Sequence, residues 1–444
     1  MKLGGRVQAA IDVLTDIETQ HTPATDALRD WGKAHRFAGS KDRSFIGNVV
    51  HDALRQKSSL GWKMGADTPR AIALGNMVLN WGIAVDDLKA AFADDVHAPK
   101  PLTAAEDKAL RSGGQSLDLA PDWVRADIPE WIWPAFEANF DEDAVAEGQA
   151  MATRPPLDLR VNTIKMRPQA ALEKLSEFNI GPSPIVPTGL RFDAPAAEGR
   201  LPNVQPEAIF QTGGVEIQDE GSQIAALLVN AKPGETVLDF CAGGGGKSLA
   251  LAADMQNTGK IYAYDVDKRR LAPIYQRMLR AGATNIEVVE PPEGNLRRLK
   301  GKMDKVLIDA PCTGAGTWRR RPDAKWRLSE DTLGMRNNQQ RKVLESAHEF
   351  VKDGGLLIYV TCSLLAEENE AQVYAFLEEH PEFQILSAGE VWEDKFGTDG
   401  PKPWSADGCT VTLTPASTNT DGFFFSVMEK GGIDANTGYR PEDD

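Results

Sequence analysis

Residues 236–248 read Thr-Val-Leu-Asp-Phe-Cys-Ala-Gly-Gly-Gly-Gly-Lys-Ser. The short apolar run Thr236–Phe240, giving way at once to glycine, has the form of a buried strand that enters a loop. Four consecutive glycines lose much chain entropy on folding, a cost that is justified where backbone approaches a ligand at a helix N-terminus. Neither of two common phosphate loops fits. G-x4-G-K-[ST] requires glycine where the chain has Cys241, and G-x-G-x-x-G fails because Ser248 occupies the third glycine position.

Downstream of this stretch the rhythm is regular. A helix is predicted over Ser222–Val229 before it, with strands at Lys260–Tyr264, Ile286–Val289, Lys305–Ile308 and Leu356–Val360 after it and helices between. Strand–loop–helix repetition implies a mostly parallel sheet covered on both faces, with ligands bound beyond the carboxyl ends of the strands. The residues just past those ends are therefore the candidates for chemistry. Asp265 ends the second strand, 26 residues beyond Asp239. A carboxylate there suits a ribose diol, which points to an adenosine-type cofactor without choosing among them. The strand Lys305–Ile308 leads into Asp309-Ala310-Pro311-Cys312, and Leu356–Val360 into Thr361-Cys362-Ser363. Two of the chain's four cysteines thus stand at strand tips that face one cofactor loop. No C-x2-C pair or clustered histidine accompanies them, so no metal is expected.

A thiolate, an acid and an adenosyl cofactor suit one reaction well. Carbon 5 of a pyrimidine is not nucleophilic in the aromatic ring, but a thiolate that adds to carbon 6 makes it so, and it then takes a methyl group. An acid can hold ring nitrogen 3, and a second thiol can help remove the carbon-5 proton. Methylation of an exocyclic amine needs no covalent step, and its usual Asn/Asp-Pro-Pro-aromatic turn is absent here.

Upstream, Val7, Ala10, Ile11, Leu14 and Ile17 follow helical spacing, and the pattern continues at 26–28, Phe45–Leu54 and Ile72–Trp81. Residues 157–214 are mixed, with a strand at Leu157–Asn162 and a helix at Pro168–Phe178. Whole-chain composition is that of a soluble globular protein: 444 residues, 41% hydrophobic, 26% charged, net charge −16. Four scattered cysteines fit a reducing cytoplasm, and no apolar run is long enough to span a bilayer. The acid excess is local. Residues 86–150 carry −10 and 365–444 carry −13, whereas 297–342 carry +8. A nucleic-acid partner is therefore compatible with the low overall charge.

At these motifs the sequence resembles the Nop/Sun family of RNA (cytosine-5) methyltransferases, most closely the bacterial RsmB-type members. The matching segments are RPPLDLRVNTIK (154–165), IQDEGSQ (217–223), VLDFCAGGGGKS (237–248), VLIDAPCTGAGTWRRRPDAKW (306–326), YVTCSLLAEENE (359–370) and TDGFFFSVMEK (420–430). A looser match, RFAGSKDRSFI (36–46), is similar to the NusB-like domain of those enzymes. The resemblance implies an α/β, Rossmann-like S-adenosylmethionine-dependent methyltransferase domain (216–444). A small α+β RNA-binding subdomain (121–215) and an all-α NusB-like domain with an acidic connector (1–120) would precede it. It makes Cys362 the nucleophile on carbon 6 and Cys312 the thiol that assists proton removal and product release. Asp309 and Lys325 would sit near the base. Cys241, Ala242, Gly243, Gly244, Gly245, Gly246 and Lys247, with Asp265 and Asp309, would hold S-adenosylmethionine.

Two departures stand out. The family loop reads Cys-Ala-Ala-Pro-Gly-Gly-Lys, and here Gly243 and Gly244 replace Ala and Pro. The family also places an Asp after the following strand, where this chain offers Glu290 as the substitute. Candidate RNA contacts are Arg160 and Asn162, with Arg319, Arg320 and Arg321 in the basic block. The expectation is a cytoplasmic monomer, free of membrane and metal, that forms 5-methylcytosine in 16S ribosomal RNA. A tRNA cytosine-5 methyltransferase shares all these motifs, and a non-catalytic RNA-binding ribosome assembly factor is the alternative of a different class.

Overall fold

Alternation along the central strands of the chain sorts side chains onto two faces. In a computed structural model that describes residues 1–431, Val237, Ile261, Leu307 and Ile358 enter one apolar cluster. Their neighbours Leu238, Val306, Ile308 and Leu357 enter another. That period of two, buried on both sides, is what a sheet sandwiched between helices requires. No helix among the described residues is long and apolar enough to cross a membrane.

The chain divides into two compact units. The first comprises Met1–Pro155, Ala194–Leu201 and Thr317–Leu328. It is helical, and begins with Leu3–Gln20, Ala24–Ala34, Ser40–Arg55, Lys57–Met64 and Pro69–Gly75. Val7, Ala10, Leu14 and Ile17 pack with Phe45, Ile46, Val49, Leu74 and Leu88 in its core. Local signals set the helix ends. Thr68 caps the helix that Pro69 opens, and Thr103 with Glu106 forms a reciprocal capping box before Ala104–Ser112. This unit runs on past residue 120 through the helix Ala144–Met151.

The second unit comprises Pro156–Asp193, Pro202–Gly316 and Ser329 onward. It contains two sheets. The smaller is antiparallel, built from β1 (Leu157–Val161), β2 (Gly181–Pro182), β3 (Gly189–Phe192) and β4 (Val215–Ile217) in the order β2-β3-β1-β4. Buried Asp158 accepts two hydrogen bonds from the Arg191 guanidinium, at 2.6 and 3.0 Å, and one from the Glu220 backbone. These bonds tie the small sheet to the helix Glu220–Leu228. The larger sheet holds β5 (Thr236–Asp239), β6 (Lys260–Tyr264), β7 (Ile286–Val289), β8 (Met303–Asp309), β9 (Val351–Thr361), β10 (Phe383–Ile385), β11 (Thr410–Leu413) and β12 (Phe423–Lys430).

Its order is β10-β12-β9-β8-β5-β6-β7, with β11 beside β12. Strands β5 to β9 run parallel, and β12 returns antiparallel to β9. From β5 the chain winds outward to β7, then crosses back to β8 on the other side of β5. That reversal opens a crevice between the β5 and β8 loops, the place where doubly wound sheets bind ligands. Asp239, Asp265, Asp309 and Thr361 all stand at or just past carboxyl ends of these strands.

Candidate active site

The loop after β5 is held from three directions. Asp265, buried just past β6, accepts a hydrogen bond from the Gly243 backbone at 3.0 Å. Arg277 donates to the Gly244 carbonyl at 2.6 Å. Ser248, in the first turn of the helix Gly246–Asp254, donates to Asp239 Oδ2 at 2.6 Å. Gly245 has φ +79°, and a Cβ there would lie 2.4 Å from Ile274, so both backbone freedom and close packing require glycine. The substitutions at 243 and 244 therefore leave a loop pinned by Asp265 and Arg277. Asp239 is fully buried, and burial pushes its carboxyl up to about 7.

On the other side of the crevice, Asp309 ends β8 and forms a 2.7 Å ion pair with Lys247 from the glycine loop. Lys247 is 7% exposed at its side chain and Asp309 is 35% exposed, so the pair presents its carboxylate end to solvent. The register explains the pairing, because β8 lies directly beside β5. The Sγ atoms of Cys312 and Cys362 lie 3.3 Å apart, in hydrogen-bond contact. That contact, together with burial, pushes the Cys312 thiol well above its ordinary value. Both cysteines are free thiols.

A buried scaffold fixes the two thiol loops against each other. Glu368 accepts from the Thr313 backbone at 2.8 Å, from the Thr313 hydroxyl at 2.5 Å and from Gln340 at 2.9 Å. Gln340 also donates to the Pro311 carbonyl, and Tyr359 donates to the Glu368 carbonyl. Asn369 bonds Thr361 and Ser363 on either side of Cys362. The backbone of Gly316 donates to the Cys362 carbonyl and accepts from Gly422. A Cβ at Gly316 would lie 2.2 Å from the Gly422 oxygen, so the two strands of this loop meet without side chains. In the sequence, Glu368 and Asn369 lie within YVTCSLLAEENE with nothing to mark their task. Acids just after a thiol motif were the available signal, and Gln340, on a distant helix, left none.

The structure brings together Cys312 and Cys362, and separately Asp309, Lys247 and the Asp265-held loop. Glu290 follows β7 as an exposed carboxylate bonded to Lys268 at 2.6 Å and Tyr275 at 3.2 Å. Lys325 belongs to the helical unit. It is fully buried there, donating to the Arg55 carbonyl at 3.1 Å and stacked 4.9 Å from the Trp326 ring. Burial pushes it down to about 8 despite the pull of Asp127, itself pushed up to about 6 by burial.

Three expected RNA contacts are corrected. Arg160 is buried in β1 and donates to Gln218 at 2.7 Å. Asn162 is buried and donates to the carbonyls of Gly213 and Ala281. Arg319 is 1% exposed in the helical unit. A single sequence does not separate an arginine that braces a fold from one that meets solvent. Arg320 is half-buried and Arg321 exposed. Two histidines distant in sequence also meet: His348 and His380 have ring centroids 4.2 Å apart, with Glu345 bonded to His380.

Comparison with known proteins accords with this geometry. The sequence model of 16S rRNA methyltransferase RsmB/F matches residues 226–429, and that of the RsmF/B-like ferredoxin-like domain matches 128–197. Ribosomal RNA small subunit methyltransferase B of Sodalis glossinidius is 31% identical over 361 residues, covering 77% of each chain. The protein of the same name from Yersinia pseudotuberculosis is 32% identical, over 79% of this chain and 85% of its own. Among solved structures, a methyltransferase homolog protein from Pyrococcus horikoshii superposes with a TM-score of 0.58 at 27% identity, covering 71% of this chain and 100% of that one. With its doubly wound sheet, its glycine loop and its matching length, the chain belongs to the RsmB/F family of S-adenosylmethionine-dependent RNA methyltransferases.

Proposed function

We propose that this enzyme forms 5-methylcytosine in 16S ribosomal RNA through a covalent bond between Cys362 and carbon 6 of the base. The observation that carries the reading is the 3.3 Å pairing of Cys312 with Cys362 at neighbouring strand tips. One thiol contact is enough for addition. Two thiols in contact provide both an attacking group and a group that takes up the proton displaced by methylation.

The cofactor loop fits S-adenosylmethionine. Asp239 Oδ1 is buried with no hydrogen-bond partner beside the loop, and the Cβ positions of Gly244 and Gly246 meet only side-chain nitrogen atoms at 3.3 Å or more. Cys241–Lys247 and Asp265 would hold the cofactor. Bound there, it supplies an electrophilic methyl group carried on a sulfonium.

The chain's own residues then divide the work. The Cys362 thiolate bonds to carbon 6, and the ring electrons move to carbon 5, which becomes the nucleophile for the methyl group. Asp309, oriented by Lys247, accepts a hydrogen bond from the amino group on the base edge beside ring nitrogen 3. The burial and sulfur contact that keep Cys312 protonated in the free enzyme change once Cys362 is bonded to carbon. With its own proton released to solvent, Cys312 takes the carbon-5 proton as a thiolate, after which the Cys362–carbon bond breaks, Cys362 leaves as a thiolate and aromaticity returns. Glu368, Gln340 and Asn369 hold both thiol loops in place throughout.

The test is incubation of the protein with 16S rRNA and methyl-labelled S-adenosylmethionine, followed by digestion to nucleosides. Label in 5-methylcytidine is expected. Label in another nucleoside, or transfer to tRNA in preference to 16S rRNA, contradicts the reading. Failure to bind S-adenosylmethionine at all favours an RNA-binding assembly factor that keeps the fold.

A further inference from the structure

The six histidines are spread through the sequence, yet two of them meet beside a glutamate in the catalytic unit. His348 stands just before β9, at the opposite end of that strand from Cys362. Glu345 lies in the last turn of the helix Glu330–Ala347, and its spacing of three from His348 puts both side chains on one helical face. His380 is the residue that ends the helix Glu370–Glu379. A ring nitrogen from each histidine and a carboxylate oxygen from Glu345 all lie within 4.8 Å of one another.

The core sets the orientation of both rings. Phe376 stacks on His380 at 4.4 Å and meets His348 edge-on at 5.8 Å, while Phe383 meets His348 at 6.1 Å. Both phenylalanines are buried in the cluster beneath β8 and β9. The carboxylates lie on the open side, Glu345 and Glu382 each being 44% exposed against 14% for His380. His380 Nδ1 is 3.3 Å from Glu382, and its Nε2 is 2.9 Å from Glu345. A histidine that gives one ring hydrogen to a carboxylate presents the other nitrogen to a metal. With Nδ1 directed at Glu382, the free nitrogen is Nε2, which faces Glu345. Among the described residues no hydrogen bond reaches the ring nitrogens of His348, so a lone pair is open there. The other carboxylate that acts on His348, Glu349, is paired with Lys300. Against the effect of burial, the bonds to Glu345 and Glu382 raise His380, whereas burial and then its charged neighbour lower His348. A proton on His380 Nε2 is therefore what an ion would replace.

We propose that Glu345, His348 and His380 bind a divalent transition-metal ion, zinc, with water in the fourth position and Glu382 bracing His380 from behind. Two imidazoles and a carboxylate are a donor set that zinc takes readily. The ion joins the ends of two helices that serve the thiol loops. Gln340, on the first, holds the Pro311 carbonyl and Glu368. The second begins at Glu370, directly after Glu368 and Asn369. The ion is a clasp behind the active site and takes no part in methyl transfer, so the inference stands apart from the choice of base or RNA.

The full chain, stripped by chelator, is titrated calorimetrically with zinc chloride in two buffers of different protonation enthalpy, as wild type, Glu345→Gln, His348→Gln and Cys312→Ala. The wild type is expected to take up one ion, to release about one proton and to unfold at a higher temperature with zinc than without. His348→Gln should lose the binding. Glu345→Gln should weaken it at least about tenfold, the loss that removing even a supporting carboxylate produces. Glu345 is exposed, so its variant keeps the fold and decides the matter should His348→Gln not. Cys312→Ala should bind zinc as the wild type does, and cobalt in place of zinc should show four-coordinate visible absorption without a thiolate charge-transfer band. Absence of saturable zinc binding by the folded wild type overturns the proposal, as does binding unchanged in both Glu345→Gln and His348→Gln. Binding lost in Cys312→Ala, with a thiolate band from cobalt, also overturns it by assigning the metal to the two thiols. No RNA or S-adenosylmethionine enters these measurements, so their failure leaves the methyltransferase reading untouched, and the converse holds.

Discussion

Residues 309–316 and 317–328 form one continuous motif in the sequence, yet they belong to different compact units. The first stretch carries Asp309 and Cys312, partly exposed at the tips of a parallel sheet and held by Glu368. The second carries Arg319 and Lys325, buried among helices and bonded with the backbone of Arg55 or through their own. Both contain charged or reactive residues at fixed spacing, and sequence alone reads them as one site. The contrast is physical. The groups proposed for chemistry keep one face open while their backbone is fixed, whereas Arg319 and Lys325 are buried inside the helical unit.

The largest effect is expected at the sheet tips. Cys362→Ala should reduce methyl transfer by a factor on the order of 10³ or more, because the proposed reaction loses its nucleophile. Retention of a tenth of wild-type activity in a labelled-methyl assay would break the distinction between the two regions from the catalytic side. Next comes the scaffold. Glu368→Ala removes the acceptor for Thr313 and Gln340, and loss of such a buried carboxylate network is expected to destabilise the catalytic unit by about 3–5 kcal/mol. Denaturant unfolding followed near tryptophan and by cofactor binding would check it, and Glu368→Gln should recover part of the loss.

In the second region the same measurement should behave differently. Lys325→Met removes a buried ammonium and leaves the buried Asp127 without its counter-charge, so the helical unit is expected to lose about 3 kcal/mol. Its pH signature is specific. The folded protein releases the Lys325 proton near 8, whereas the unfolded chain holds it to about 10.5. The unfolded state therefore binds more protons between those values, and stability contributed by this group rises with pH across that window. The methionine variant should lack that rise relative to wild type. A variant that stays folded and loses methyl transfer would instead return Lys325 to the reacting groups. The smallest effect is expected at Glu290. Its bonds to Lys268 and Tyr275 are exposed, so Glu290→Gln should change stability by about 1 kcal/mol or less. A cofactor affinity reduced tenfold in equilibrium dialysis would place its carboxylate on the adenosine instead.

Much of this was legible in the sequence for identifiable reasons. Strand ends were readable because Asp239, Asp265, Asp309 and Cys362 each follow an apolar run buried on both faces. The helical region was readable from the spacing of Val7, Ala10, Leu14 and Ile17, all of which enter its core. Partners were not readable, because the groups that hold Thr313 or Arg154 come from 55 and 102 residues away. Nor was the burial of Arg160 and Asn162, since a donor inside a strand follows the same pattern as one on a surface. The unit boundary at Thr317 was hidden for the same reason, as nothing in TWRRRPDAKW marks a change of neighbours.

The central claim is the division of labour between two touching thiols, and peptide mapping of a trapped adduct tests it most directly. Cys312→Ala is incubated with 16S rRNA and S-adenosylmethionine, digested with nuclease and protease, and analysed by mass spectrometry. Accumulation of a methylated cytidine adduct on the peptide that contains Cys362 is expected, with none formed by Cys362→Ala. An adduct carried by Cys312 in the Cys362→Ala protein would contradict the account.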